Sequence, residues 1–293
     1  MTLGQALASA AAQGLDRLDA QLLLLHALAR PQSDRAWLLA HDDEEIGAEQ
    51  ERVYRQLRDR RAGGEPLAYI VGRKEFFGLQ FLVDRRVLVP RPETEILVEW
   101  ALEILARRPG PGPGSTGSRI AGLARNDKPS IIDLGTGSGA IALAIKNSWP
   151  DGVVEAVDVS ADALVVAAAN ARALGLDIGL RHSSWLTGTT GRYDLIVSNP
   201  PYIAEHDPHL EGLVHEPLAA LAAGPQGLDD LRAITSQAGA HLKAGGWLLL
   251  EHGWDQAEGA RALFRAAGFC GVGSRRDLAG IERCTGGQWL ELG

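Results

Sequence analysis

Apolar positions change their spacing twice along this chain, and each change marks a different kind of element. Over residues 1–62 they recur three and four apart. Leu3, Leu7 and Ala10 share one helix face, as do Leu18, Leu22, Leu25 and Leu28. Ser33 or Asp34 stands where a cap is needed for a short helix through Trp37 and Leu39. Glu49 to Arg61 predicts a charged helix that Gly63 and Gly64 end. From Lys74 to Val89 short apolar stretches flank Gly78, the pattern of a β-hairpin. Pro90-Arg91-Pro92 then stops extended structure, and Glu93 to Arg107 is helical again. Residues 109–129, rich in Gly, Pro and Ser, have no periodicity and read as a flexible loop.

From Ser130 onward strands and helices alternate. Strands are predicted at Ile131–Leu134, Val153–Val159, Ile178–His182, Tyr193–Ser198 and Trp247–Glu251, with a terminal hairpin around Phe269–Ser274 and Arg283–Leu292. Helices fit at Ala140–Asn147, Ala161–Leu174, Leu228–Leu242 and Gln256–Ala267. Such alternation implies an α/β fold with a mostly parallel, Rossmann-like sheet and helices on both faces. The chain thus divides into a helical region at 1–72, a hairpin linker at 73–90 and an α/β domain at 91–293.

The 293 residues are enough for an α/β core and a smaller accessory domain. The formal net charge is −8, unevenly spread. Residues 1–90 hold 12 Lys/Arg and 13 Asp/Glu, which leaves 17 and 24 for the remainder, a net of −7. A polyanionic nucleic acid is a poor match for that balance, since phosphate binding uses a basic face. Arg52, Arg55, Arg58 and Arg61 form a ridge on the charged helix, either a solvated face or a docking surface. Cys270 and Cys284 lack a CxxC pattern, and no His cluster has ligand spacing, so neither a disulfide framework nor a metal is expected. Met1 to Leu15 shows no signal peptide and no apolar run approaches a membrane span, which points to the cytoplasm.

Three short segments carry chemistry. In the first, Asp133-Leu134-Gly135-Thr136-Gly137-Ser138-Gly139, a glycine turn joins an apolar strand to an apolar helix. Its GxGxG spacing differs from the dinucleotide GxGxxG and suits a ligand without phosphate, whose ammonium a nearby carboxylate would favour. S-adenosylmethionine is such a ligand. In the second, Asp158 ends the next strand, where a carboxylate accepts both hydroxyls of a ribose. Ser160 is better placed than Asp158 to cap the following helix. The third is Asn199-Pro200-Pro201-Tyr202, directly after strand Tyr193–Ser198. A planar amide or aromatic amine nitrogen attacks a sulfonium carbon poorly. The Asn oxygen and a main-chain carbonyl freed by the following proline can accept both of its N–H bonds and aim the lone pair at the methyl group. Tyr202 would cover the planar group by stacking. Trp185, after the third strand, could lie over an adenine or belong to the core.

These segments, with VLVPRPETEILVEWAL from Val87, HEPLAAL from His215 and LLLEHGWDQ from Leu248, resemble the bacterial release factor glutamine methyltransferases, the HemK/PrmC family. The resemblance implies a five-helix N-terminal domain that helps hold the release factor and a seven-stranded catalytic domain. It implies methyl transfer from S-adenosylmethionine to the side-chain amide of the glutamine in the Gly-Gly-Gln motif of class I release factors, by a monomer. Residues matching Gly135–Gly139, Asp158, Trp185 and Asn199 bind the donor in that family, and those matching Asn199–Tyr202 hold the glutamine. The rival readings are a ribosomal-protein glutamine methyltransferase, a DNA or RNA amino-methyltransferase with the same NPPY motif, and a non-catalytic binding module.

Overall fold

The computed structural model describes residues 1–107 and 128–290. Apart from Lys128 and Pro129, the segment read as a flexible loop at 109–129 lies outside the described residues. The chain divides into two units, Met1–Arg73 and Lys74–Gly293.

The first unit is helical: α1 (Leu3–Ala12), α2 (Arg17–Ala27), α3 (Arg35–Ala40), α4 (Ala48–Ala62) and α5 (Leu67–Val71). Thr2 opens α1 with a reciprocal cap, its hydroxyl accepting from the Gln5 amide while the Gln5 side chain takes the Thr2 amide. Asp34 sits at the N-cap of α3 without making a side-chain cap bond. The core gathers Leu3, Ala6, Leu24, Leu38, Tyr54 and Ile70. The predicted α2 stripe needs correction. Leu18 is exposed, while Leu23, Leu24 and Leu25 are all fully buried. The leucine run at 22–25 is wider than one helical stripe because α2 is covered by α1, α3, α4 and α5 together. The arginine ridge of α4 is neutralised in place: Arg52 pairs with Glu49 at 2.6 Å, Arg55 with Glu51, Arg58 with Asp59 at 2.9 Å and Arg61 with Asp19 at 2.6 Å. Each of these guanidinium charges thus has a carboxylate beside it.

Next in the chain is the hairpin β1 (Arg73–Phe76) and β2 (Leu79–Leu82), all but its first residue in the second unit, turning at Gly78 with φ +74°. A 3₁₀ turn at Pro92–Thr94 leads into α6 (Glu95–Ala106), so the helix expected from Glu93 starts two residues later. Then follow β3 (Ser130–Leu134), α7 (Ala140–Ser148), β4 (Val153–Asp158), α8 (Ala161–Leu174), β5 (Gly179–His182) and β6 (Tyr193–Ser198). The unit closes with α9 (Asp229–His241), β7 (Leu242–Glu251), α10 (Ala257–Ala266), β8 (Cys270–Arg276) and β9 (Glu282–Gln288).

Seven strands form one sheet in the order β5-β4-β3-β6-β7-β9-β8, parallel except for β9, which runs antiparallel to both of its neighbours. Ile132, Leu134, Ile196, Leu248 and Leu250 are fully buried between the helical layers. β7 starts five residues before the expected Trp247. Leu242 pairs Tyr193 and Trp247 pairs Leu195, so the intervening residues, with Gly245 at φ +78°, bulge out of register. The Gly245-Gly246 pair reads as a stop in sequence and is a bulge in structure.

Ser160 caps α8 by accepting the Ala163 amide at 3.1 Å, as the sequence predicts, and Gly175 ends the helix at φ +67°. Within α8, Asn170 is fully buried and joins two distant segments. Its Nδ2 donates to the carbonyls of Leu82 (3.0 Å) and Ser138 (2.8 Å), and its Oδ1 accepts the Leu82 amide at 2.6 Å. Replacing it by Leu strands three main-chain groups. We expect Asn170→Leu to destabilise the protein by about 3 kcal/mol in urea unfolding. A loss below about 1 kcal/mol would show that these bonds are replaceable.

Candidate active site

The sheet's register builds the site. Val157, Leu134, Ser198 and Leu250 lie in one row across β4, β3, β6 and β7. The residue after each is Asp158, Gly135, Asn199 or Glu251. Four residues far apart in sequence therefore arrive together at the carboxyl edge, about 4.8 Å apart from strand to strand. The chain leaves β3 for β4 on one side and returns to β6 on the other, so this edge is a topological switch point.

The glycine turn follows β3. Gly135, Gly137 and Gly139 have φ of +67°, +55° and +83°, the left-handed region that favours glycine. Their side-chain positions differ. A Cβ on Gly139 would stand 3.0 Å from Leu143, and one on Gly135 would stand 3.2 Å from the Trp185 ring, whereas nothing lies within 4 Å of a Cβ on Gly137. The middle glycine faces open space. Thr136 and Ser138 are buried; the Thr136 hydroxyl donates to Asp133 Oδ2 at 2.6 Å, and the Ser138 carbonyl is the one Asn170 holds. These two residues shape the turn more than they expose side chains.

Asp133 is fully buried, and Oδ2 also accepts the Ala142 amide at 3.2 Å. Its Oδ1 has no partner among the described residues, and burial pushes the carboxyl up to about 7. Asp158 is bonded by the main chain through both oxygens, to the amides of Gly137 (2.8 Å) and Ser160 (2.8 Å). Each of those oxygens keeps a further acceptor position. The set fits S-adenosylmethionine: an open cradle at Gly137, a carboxylate with spare acceptors for a ribose diol, and a buried acceptor that a cation would satisfy. Trp185 stands half-buried with φ +49°, its ring against Gly135 and the sheet core. Its indole N–H favours the charged form of Asp230, whose carboxyl burial otherwise raises.

On the other flank, Asn199 donates from Nδ2 to Thr94 Oγ1 at 3.2 Å. Among the described residues no donor reaches its Oδ1. Thr94 is itself buried, in the turn that Pro-Arg-Pro-Glu-Thr-Glu forms. Pro200 is buried and Tyr202 half-buried. The Tyr202 amide donates to Leu221 (3.2 Å), while its carbonyl accepts from Gln256 Nε2 (2.8 Å). Burial, then the Glu251 carboxyl, raise the Tyr202 hydroxyl well above its usual range, so it stays protonated. A pocket of about 60 Å³ opens here, lined by Leu88, Arg91, Asn199, Tyr202, Ile203, Leu213, Ala220 and Leu221. Glu216, almost wholly buried, holds its wall by pairing with the Arg91 guanidinium and accepting the Val89 amide at 3.0 Å.

The structure thus brings Gly135–Gly139, Asp158 and Trp185 to one side of the switch point and Asn199–Tyr202 to the other. Four residues escaped the sequence reading: Thr94, Asn170, Glu216 and Glu251. Thr94, Glu216 and Glu251 lie inside the segments that carry the family resemblance. Asn170, in the middle of an Ala-rich helix, leaves only its polarity as a signal. Among the described residues no group of His, Cys, Asp and Glu is arranged to hold a metal, and no helix is long and apolar enough to cross a membrane.

A doubly wound sheet with this glycine turn and an Asn-Pro-Pro-Tyr at its switch point defines a class: the S-adenosylmethionine-dependent methyltransferases. Residues 117–252 match the model of the methyltransferase small domain, and residues 3–72 that of the PrmC N-terminal domain. The chain belongs to the release factor glutamine methyltransferase family. It is 46% identical to the release factor glutamine methyltransferase of Bordetella pertussis (strain Tohama I) over 94% of this chain and 95% of the relative. It is 45% identical to that of Xylella fastidiosa (strain Temecula1) over 97% of each. Solved structures share the fold at lower identity: a methyltransferase from Pyrococcus furiosus (16% identity, TM-score 0.51, 80% of this chain and 98% of that one) and the hMettl16 catalytic domain (15%, 0.56, 80% and 82%).

The raised Asp133 carboxyl sets a pH dependence. Its ordinary value is 3.8 and its folded value about 7, so between these the folded state keeps a proton that the unfolded state releases. Its contribution is fully present below pH 3.8 and is lost as pH rises towards 7. In urea unfolding without donor, the stability of the wild type relative to Asp133→Asn should be greatest near pH 4 and shrink towards pH 8. A difference that stays constant across that window would place an ionised carboxylate at this position throughout.

Proposed function

We propose that this enzyme transfers a methyl group from S-adenosylmethionine to the side-chain amide nitrogen of a glutamine in class I release factors, within their Gly-Gly-Gln motif. The observation that carries the reading is Asn199. It stands at the switch point with its Nδ2 engaged by Thr94 and its Oδ1 unclaimed, an acceptor held ready for an N–H donor.

Bound S-adenosylmethionine supplies a methyl carbon made electrophilic by its sulfonium. The residues of this chain do the rest. Gly135–Gly139 and Asp158 hold the donor, with Trp185 beside the turn. Asn199 Oδ1 and the Pro200 carbonyl accept the two N–H bonds of the glutamine amide. That pair fixes the amide plane, turns the nitrogen lone pair toward the methyl carbon and stabilises the positive charge that grows on nitrogen. Pro201 leaves the Pro200 carbonyl without a competing amide at the next residue, since proline has no N–H. Tyr202, neutral at working pH, closes over the planar group. The nitrogen–carbon bond forms as the sulfur–carbon bond breaks, and the methylated nitrogen loses its extra proton to water.

The partner in this reading is a protein, not a nucleic acid: residues 91–293 carry a net of −7, which repels a polyanion. The enzyme acts as a monomer in the cytoplasm, where translation supplies release factors.

Two measurements test the assignment. Asn199→Ala should lower kcat by about 10²–10³ and lower donor affinity by less. A release factor with Gly-Gly-Glu offers no amide N–H and should take no label from methyl-labelled donor. Equal labelling of Gln and Glu forms would eliminate amide transfer. Asp158→Ala should weaken donor binding by roughly 1–3 kcal/mol in calorimetry, and unchanged affinity would remove Asp158 from the donor site.

A further inference from the structure

Residues 203–226 form an irregular segment between Tyr202 and Gly227, and they supply much of the pocket wall: Ile203, Leu213, Ala220 and Leu221. The two ends of the segment are zipped together by main-chain bonds. Ile203 donates to the Leu221 carbonyl (2.9 Å), Ala223 to that of Ile203 (2.9 Å) and Glu205 to that of Gly224 (3.1 Å). This zipper rests in turn on a side chain that the transfer described above does not use, Gln256.

Gln256 stands half-buried at the N-cap of α10 and makes no cap bond there. The short polar side chains of Ser, Thr, Asp and Asn are the ones that serve such a position. The longer Gln256 amide reaches across the chain instead. Its Nε2 donates to the Tyr202 carbonyl at 2.8 Å and shares its hydrogens with the carbonyls of Gln226 and Gly227 at 3.3 Å each. Its Oε1 accepts the Gly253 amide at 2.8 Å, two residues past the end of β7. One planar group thus grips both ends of the segment and ties them to the carboxyl end of a core strand. The approach leaves no room for a side chain. Gly227 has φ +67°, and a Cβ there would collide with the Tyr202 carbonyl oxygen and stand 2.7 Å from Nε2.

We propose that Gln256 is a positioning residue for methyl transfer: it seats the base of the 203–226 segment on the end of β7 and thereby sets Tyr202 over the substrate amide. This rests on the reading of Tyr202 as the group that closes over that amide. The Tyr202 main chain is held on both sides, its amide by Leu221 and its carbonyl by Gln256. A ring carried on backbone fixed at both ends loses the drift that an irregular segment would allow. Glu216 holds another part of the same segment to Val89 and Arg91, so the pocket wall has two anchors. Precision matters here, since a displacement of about 1 Å can cost on the order of 10²-fold in rate.

The test uses Gln256→Glu and Gln256→Met with a class I release factor and methyl-labelled donor. Gln256→Glu keeps the length and the acceptor for Gly253, and turns a carboxylate oxygen on the three carbonyls. Gln256→Met keeps the bulk and removes both polar atoms. In each variant kcat should fall about 10- to 100-fold. Donor affinity in calorimetry should stay within about twofold of wild type, because the glycine turn and Asp158 lie on the other flank. The amides of Tyr202, Ile203, Glu205 and Ala223 should exchange with solvent about five- to tenfold faster, and those of β3 and β4 at the wild-type rate. A kcat within about twofold of wild type, or exchange that quickens equally in β3 and β4, overturns the proposal. Should Gln256→Glu fail to fold, Gln256→Met decides by the same readouts. Tyr202→Ala separates the two levels. If it turns over like wild type, the reading of Tyr202 fails and the proposal with it, whereas a slow Tyr202→Ala beside a normal Gln256→Glu sinks the positioning role alone.

Discussion

The parallel pairing of β4, β3, β6 and β7 in one unbroken row is the constraint on which the rest of this molecule depends. Side chains alternate faces along a strand, so slipping any one of these strands by a single residue would send every side chain into the packing on the opposite face of the sheet. The burial patterns leave no freedom for that. β6 is buried at every position, and β3 at all but its first. Ser198 adds a lock, its hydroxyl donating to the Leu134 carbonyl at 2.6 Å, in the last row before the site. The hydrophobic core thereby sets which four residues stand together at the carboxyl edge. The geometry of the candidate site is inherited from packing.

The two flanks of the crevice share an unusual expense. Asp133 beneath the glycine turn and Glu251 beside Asn199 are both fully buried carboxyls, each with one oxygen unpartnered among the described residues. A carboxyl in such a place costs stability unless something nearby makes use of it. Their placement at the site and not elsewhere in the sheet accords with the general finding that perturbed groups gather where function needs them. By contrast, the arginines of α4 each meet a carboxylate at hand, Arg52 and Arg55 on their own helix, Arg58 at the adjacent Asp59 and Arg61 at Asp19 of α2.

Much of this was legible in the sequence because the relevant signals are local. The strand, glycine turn and helix at 130–148 follow from apolar runs broken by closely spaced glycines, and Asp158 and Asn199 follow from the ends of the strands that carry them. The burial of α2 was not legible, because four consecutive leucines carry no period, and only the surrounding helices decide which are covered. The length of β7 was misread since Gly245 and Gly246 weaken a strand by local rules, while its pairing with β6 tolerates a bulge. Thr94, Asn170 and Glu216 escaped assignment for one common reason. Each acts on a residue tens to more than a hundred positions away, and the 3.2 Å from Asn199 to Thr94 spans 105 of them.

Asn170 joins the hairpin to the glycine turn through one side chain, and this has a thermodynamic consequence. A glycine-rich loop left to itself samples many conformations, and a ligand that selects one of them binds more weakly by the entropy it removes. Here the Ser138 carbonyl is pinned from α8, and the same amide group grips both main-chain atoms of Leu82. The turn is therefore set in shape when the protein folds, before any donor arrives. Glycine supplies the dihedral angles, while a single buried amide removes the freedom that glycine would otherwise bring.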